Sequence, residues 1–247
     1  MRSPDDGEHI EFPGEAGRLE AHLYRPLGVQ GRRPAVVLNH GSTIEQDSKP
    51  GVSRVLTDAG YVVLVPFRRG YARSEGPSRL EQVTAEVGAP GHGAQVCQRL
   101  AAESSDVLAA LDFARRLPDV DPDRTAVMGS SYGGINSVLA AAQDQRLRAC
   151  VAFAAAAMSW GPVPEIRDFL LDQLHTVKSP MLLLQAANDF DTTPSQRLAE
   201  RCHELGLTCT RHLFGAYGAN EMEAHMLWTS GPHVWTPVVL PFLAENV

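Results

Sequence analysis

An α/β architecture on a mainly parallel sheet is predicted by three observations. Short apolar runs recur without alternation, which suits strands buried on both faces. Segments of helical periodicity separate them. No Pro/Gly-rich linker and no internal repeat divides the 247 residues, so one domain over 1–247 is expected.

The strands follow in order. Arg18–Tyr24 alternates roughly, and Pro34–Asn39 (PAVVLN) is a short apolar run that stops at His40-Gly41. Tyr61–Pro66, Arg124–Met128, Ala149–Phe153 and Pro180–Gln185 are further apolar runs, and Thr208–Phe214 is strand-like. Between them, Val52–Ala59, Ala102–Leu117, Tyr132–Gln143, Ser195–Leu205 and His233–Glu245 read as helices, the second stopping before Pro118 and the fourth at Gly206. Gly76–Gln98 is punctuated by Gly and Pro and reads as a loop excursion over the sheet, a candidate lid.

Composition narrows the function classes. Apolar residues at 44% and charged residues at 21% are ordinary for a globular protein. A net charge of −7 argues against a nucleic-acid partner. No apolar run is long enough to span a bilayer, and the polar start MRSPDDGEHIEF lacks the pattern of a signal peptide, so a cytoplasmic protein with no membrane partner is expected. The four cysteines (Cys97, Cys150, Cys202, Cys209) match no zinc spacing; Cys150 reads as a core thiol, and Cys202 and Cys209 as reduced. No metal site is expected.

The sharpest motif is Gly129-Ser130-Ser131-Tyr132-Gly133, which fits G-x-S-x-G between a strand and a helix. In such an elbow the central residue, Ser131, sits at a strained backbone position that only small neighbours permit. The helix beneath it favours developing negative charge. The N–H of Tyr132 is then one oxyanion donor. Asn39-His40-Gly41-Ser42 closes an earlier strand, and Ser42 N–H is the candidate second donor, with the His40 imidazole assigned to local backbone hydrogen bonding.

A serine nucleophile needs a base and an orienting carboxylate, here expected in the order Ser, acid, His. The exit of PMLLLQAA carries Asp189 and Asp191; Asp189 is preferred, because Asp191 is placed to cap the next helix. Of the downstream histidines, His203 lies mid-helix, His212 within a strand and His233 at a helix start. His225, in an expected loop after the last strand, is the preferred base. Arg69, with its neighbour Arg68, could bind a substrate carboxylate or form a structural salt bridge, and Trp160 could wall an acyl pocket or pack in the core.

The stretches VVLNHGS, VPFRRGYARSEGP, VDPDRTAVMGSSYGG, PMLLLQAANDFDTTP and EAHMLW together resemble the dienelactone hydrolase-like branch of the α/β-hydrolases. They are more loosely similar to the prolyl-oligopeptidase-related serine peptidases and acyl-peptide hydrolases. The resemblance runs from about Pro34 to the C-terminus. It implies a mostly parallel sheet of about eight strands flanked by helices, with Ser131, Asp189 and His225 as triad and no cofactor. No compact helical cap is evident. Dienelactone hydrolases proper carry cysteine where this chain carries Ser131, which points to ordinary ester or amide chemistry. A small-molecule ester is the expected substrate; a peptidase on short peptides and a catalytically silent binding protein are the alternatives, and oligomeric state is not encoded legibly.

Overall fold

The computed structural model describes residues 7–28, 30–43 and 49–247. Its centre is an eight-stranded sheet in the order β1-β2-β4-β3-β5-β6-β7-β8. The strands are β1 (Glu8–Gly14), β2 (Gly17–Tyr24), β3 (Arg33–Asn39), β4 (Val62–Phe67), β5 (Val120–Ser130), β6 (Ala149–Phe153), β7 (Met181–Ala186) and β8 (Cys209–Phe214). The β1–β2 and β2–β4 pairings are antiparallel; every other pairing is parallel.

The helices are α1 (Pro50–Asp58), α2 (Arg79–Gln82), α3 (His92–Arg116), α4 (Tyr132–Gln143), α5 (Glu165–Gln173), α6 (Thr193–Glu204), α7 (Glu221–His225), α8 (Leu227–Ser230) and α9 (Pro232–Asn246). They cover both faces of the sheet, which explains the unbroken apolar runs. Along β3, Ala35 and Val37 face one core layer, with Leu100 and Leu111 of α3 and Ile135 of α4; Val36 and Leu38 face the other, with Leu56 of α1 and Trp235 and Val239 of α9. The same split separates Met181 and Leu183 from Leu182 and Leu184 on β7. With side chains alternating across the sheet, both alternating sets must be apolar when both faces are covered.

β1 was not legible as a strand. It is an edge strand with only Phe12 buried, so its remaining positions carry no apolar pattern. The Gly76–Gln98 stretch is also more ordered than a loop. Ser78 caps α2 by accepting the Glu81 N–H while the Glu81 carboxylate accepts the Ser78 N–H, and α3 already begins at His92. No large cap domain covers the sheet among the described residues. The four cysteines are free thiols, and Cys150 is buried. No described helix is long and apolar enough to cross a membrane.

Candidate active site

The candidate residues gather at the C-terminal edge of the parallel strands, where α/β sheets place their ligands. Ser131 follows β5 directly, in the left-handed region at φ 57° and ψ −121°. Its N–H donates to the Phe153 carbonyl at 2.9 Å, and its carbonyl accepts the first bond of α4, from Ile135 at 3.1 Å. This strained serine is held from both sides.

The flanking glycines are explained by contact. A Cβ on Gly133 would lie 2.0 Å from the Asn39 carbonyl oxygen, and one on Gly129 would lie 2.3 Å from the Gly133 carbonyl oxygen. The start of α4 therefore presses against the end of β3, where the His40-Gly41-Ser42 loop leaves the sheet. Asn39 Nδ2 donates to Ser137 Oγ at 2.9 Å, and Ser137 Oγ donates to the Gly133 carbonyl at 2.8 Å, which fastens the two segments together. The Tyr132 N–H lies in the first turn of α4, where backbone donors have no intrahelical acceptor.

Asp189 leaves β7 and His225 follows β8, and the structure brings them together. His225 Nδ1 lies 2.9 Å from Asp189 Oδ1. The same carboxylate accepts the Phe190 N–H at 2.8 Å and Gln185 Nε2 at 3.0 Å. Nε2 of His225 is buried and makes no hydrogen bond among the described residues. His225 is not in a loop: it ends α7, whose Asn220 cap accepts the Glu223 N–H at 2.9 Å. The cap was hidden in GANEMEAH because five residues are too few to show a periodicity. Asp191 instead accepts the Thr193 N–H at 2.8 Å, at the start of α6. His203 and His233 are exposed, and His212 is half-buried in β8.

Two side chains suggested as substrate contacts are committed elsewhere. Arg69 is a structural ion pair: its guanidinium meets both Asp106 oxygens at 2.7 to 3.1 Å and reaches Ser105 Oγ at 2.7 Å. Trp160 is 5% exposed and belongs to the core layer that contains Val163, Ile166 and Tyr132. Both follow the C-terminal ends of strands, as Ser131, Asp189 and His225 do, and position alone cannot tell a site residue from a buttress.

A charged hub lies beneath the loop. Arg68, Glu103 and Arg99 are buried at 0 to 1% exposure. Arg68 Nε donates to Glu103 Oε2 at 2.8 Å and Arg99 Nε to Oε1 at 2.7 Å. Asn136 Nδ2 donates both to Glu103 Oε2 and to the Tyr132 carbonyl at 3.0 Å. Burial alone would raise the Glu103 pKa, but the two guanidinium charges outweigh it and hold the carboxyl below its usual range. Removing Glu103 would strand the two buried guanidinium charges at a cost of about 3–5 kcal/mol. Arg68 Nη1 and Nη2 donate to the His40 and Gly41 carbonyls at 2.8 and 3.0 Å.

His40 completes this loop. Its Nδ1 lies 2.8 Å from the Gly41 carbonyl oxygen, and its Nε2 accepts the Arg68 N–H at 3.3 Å, which defines a neutral ring protonated on Nδ1. Burial, then the Arg68 charge, holds its pKa well below 6.5. The unfolded chain regains an ordinary histidine, so between the two values it binds the extra proton and stability rises with pH. The contribution is complete above about pH 6.5 and is lost as pH falls below it. The urea midpoint of the wild type is therefore expected to drop more than that of His40→Asn between about pH 7.5 and about pH 5; equal drops would contradict a neutral buried His40.

Among the described residues, no group of three His, Cys, Asp or Glu side chains is arranged to hold a metal ion.

Strand order, the Ser131 elbow and the Asp189–His225 pair are those of an α/β-hydrolase fold. A model of the X-Pro dipeptidyl-peptidase (S15) family matches residues 15–213, and the chain belongs to that family. It is 28% identical to the quorum-quenching protein AidA of Acinetobacter baumannii over 145 residues, 58% of this chain and 41% of that protein. The chain spans less than half the length of the curated relatives it matches. Among solved structures it is similar to DcsB in complex with a substrate analogue (TM-score 0.71, 15% identity, covering 97% of this chain and 99% of that one). It is also similar to the acylaminoacyl peptidase of Pyrococcus horikoshii (TM-score 0.73, 18% identity, covering 97% and 41%). These likenesses carry the fold.

Proposed function

We propose that the protein is a serine esterase that hydrolyses carboxylic esters of small molecules. In this reading Ser131 Oγ attacks the acyl carbonyl while His225 Nε2 takes its proton, and Asp189 stabilises the resulting imidazolium. The N–H groups of Ser42 and Tyr132 receive the charge that develops on the carbonyl oxygen. The alcohol leaves with the proton returned by His225. Water then attacks the acyl-enzyme through the same base and releases the acid.

The observation that carries the reading is the buried His225, its Nδ1 at 2.9 Å from Asp189 and its Nε2 unbonded, a base with one nitrogen oriented and the other unengaged. The Phe190 ring meets the His225 ring in a T-shaped arrangement with centroids 5.7 Å apart, and Phe190 and Met226 are part-exposed, which supports an apolar acyl group there.

The family match favours a second reading, an exopeptidase acting on short peptides. Such an enzyme needs a carboxylate for the substrate ammonium. The buried carboxylates among the described residues are already engaged: Glu20 with Arg73, Glu103 with Arg68 and Arg99, Asp106 with Arg69, and Asp189 with His225. That supports the ester reading. A fluorophosphonate probe is expected to label Ser131, and p-nitrophenyl acetate to be turned over faster than Xaa-Pro p-nitroanilides. Preferential turnover of the anilides would establish the peptidase, and absence of labelling would leave a silent binding protein.

A further inference from the structure

Resting on the triad reading above, we propose that the buried Arg68 guanidinium, together with the neutral His40 ring, is a positioning device that aims the Ser42 N–H into the oxyanion hole. A trans peptide is planar, so its N–H points opposite to the carbonyl of the residue before it. Whatever fixes the Gly41 carbonyl therefore fixes the Ser42 N–H. That carbonyl meets two donors, His40 Nδ1 at 2.8 Å and Arg68 Nη2 at 3.0 Å. The preceding carbonyl, of His40, accepts Arg68 Nη1 at 2.8 Å. One fork thus pins two consecutive peptide planes of a loop in which glycine would otherwise leave the backbone free.

The fork is itself immobile. Its third nitrogen, Nε, is held by Glu103 at 2.8 Å, and Glu103 is in turn held by Arg99 and by Asn136, a residue of the elbow helix α4. The hub therefore ties the loop of the second donor to the helix that carries the first. It also bars Arg68 from the substrate: the side chain is fully buried and all three guanidinium nitrogens are bonded within the protein. Preorganised donors act in the transition state rather than in substrate binding, so the device should appear in kcat and leave KM alone.

Lysine at this position keeps the charge opposite Glu103 but presents a point donor instead of a fork. For Arg68→Lys, kcat on p-nitrophenyl acetate is expected to fall by about 100-fold, the usual loss for one oxyanion donor, with KM unchanged. A phenyl trifluoromethyl ketone gives a readout that a purely structural role would not move. Ser131 Oγ adds to its carbonyl carbon, the carbonyl electron pair becomes the oxyanion, and the serine proton stays on His225. Its affinity is expected to fall by the same factor as kcat/KM, while circular dichroism and the melting profile show a folded protein. Should Arg68→Lys fail to fold, His40→Ala removes the other donor to Gly41 without changing a charge, and the same split is expected. A folded variant of either kind that keeps its kcat and inhibitor affinity, or that changes KM alone, overturns the device. A wild type that is not labelled by fluorophosphonate at Ser131 overturns the triad reading instead.

Discussion

Replacing Ser131 with alanine is expected to lower kcat on p-nitrophenyl acetate by about a millionfold. The size of the effect follows from the role proposed for the residue. Without Oγ no acyl-enzyme forms, and His225, Asp189 and the two amides are left with only a water molecule to activate. The fold should survive, because alanine is smaller than serine and the backbone contacts that hold the elbow, Ser131 N–H to Phe153 and Ile135 N–H to Ser131, involve no side chain. The left-handed φ of 57° is no harder for alanine than for serine. A purified variant with wild-type melting temperature and full turnover would remove Ser131 from the chemistry.

The parts of the fold that could be read from the sequence are those whose surroundings repeat. β3, β4, β6 and β7 are buried on both faces, so nearly every position along them is apolar and the run announces itself. α4 was legible to the residue, because its glycines mark one end and Asp144 breaks the apolar pattern at the other. β1 and α7 were not, the first because an edge strand has little to bury and the second because it is a single turn. The site divides in the same way. Ser131, Asp189 and His225 were proposed from strand ends and chain order, and the structure places Asp189 beside His225. Gln185, which steadies Asp189, could have been suspected, since it is the one polar residue at the end of an apolar strand run. Glu103 carries no such signal: in AAESSDVLAAL it resembles any solvated helix residue, and only the approach of Arg68 and Arg99 from other elements makes it a buried hub. Pairings of that kind depend on tertiary contacts that periodicity does not encode. Arg69 shows the converse, since an arginine beyond a strand end suggests a ligand until Asp106 of α3 is seen to meet it.

For Asp189→Asn the expected loss in kcat is about 10,000-fold at neutral pH, with little change in KM. The carboxylate accepts three donors, His225 Nδ1 and the Phe190 N–H on Oδ1 and Gln185 Nε2 on Oδ2. An amide cannot accept on both sides. With its oxygen toward His225, its NH2 group faces the Gln185 amide, which is held in place by its second bond to the Asp191 carbonyl at 2.8 Å. Turned the other way, the NH2 group meets the Phe190 N–H and forces His225 to accept on Nδ1, which moves the ring proton to Nε2 and leaves no base for Ser131. Both orientations also lose the negative charge that stabilises the imidazolium in the transition state. Asp191→Asn provides the contrast. Its side chain serves the first turn of α6, an asparagine oxygen can accept the Thr193 N–H equally well, and kcat should stay within about twofold of wild type. Steady-state kinetics on the two variants thus separate two carboxylates only two residues apart; a large loss in Asp191→Asn with a small one in Asp189→Asn would reassign the acid.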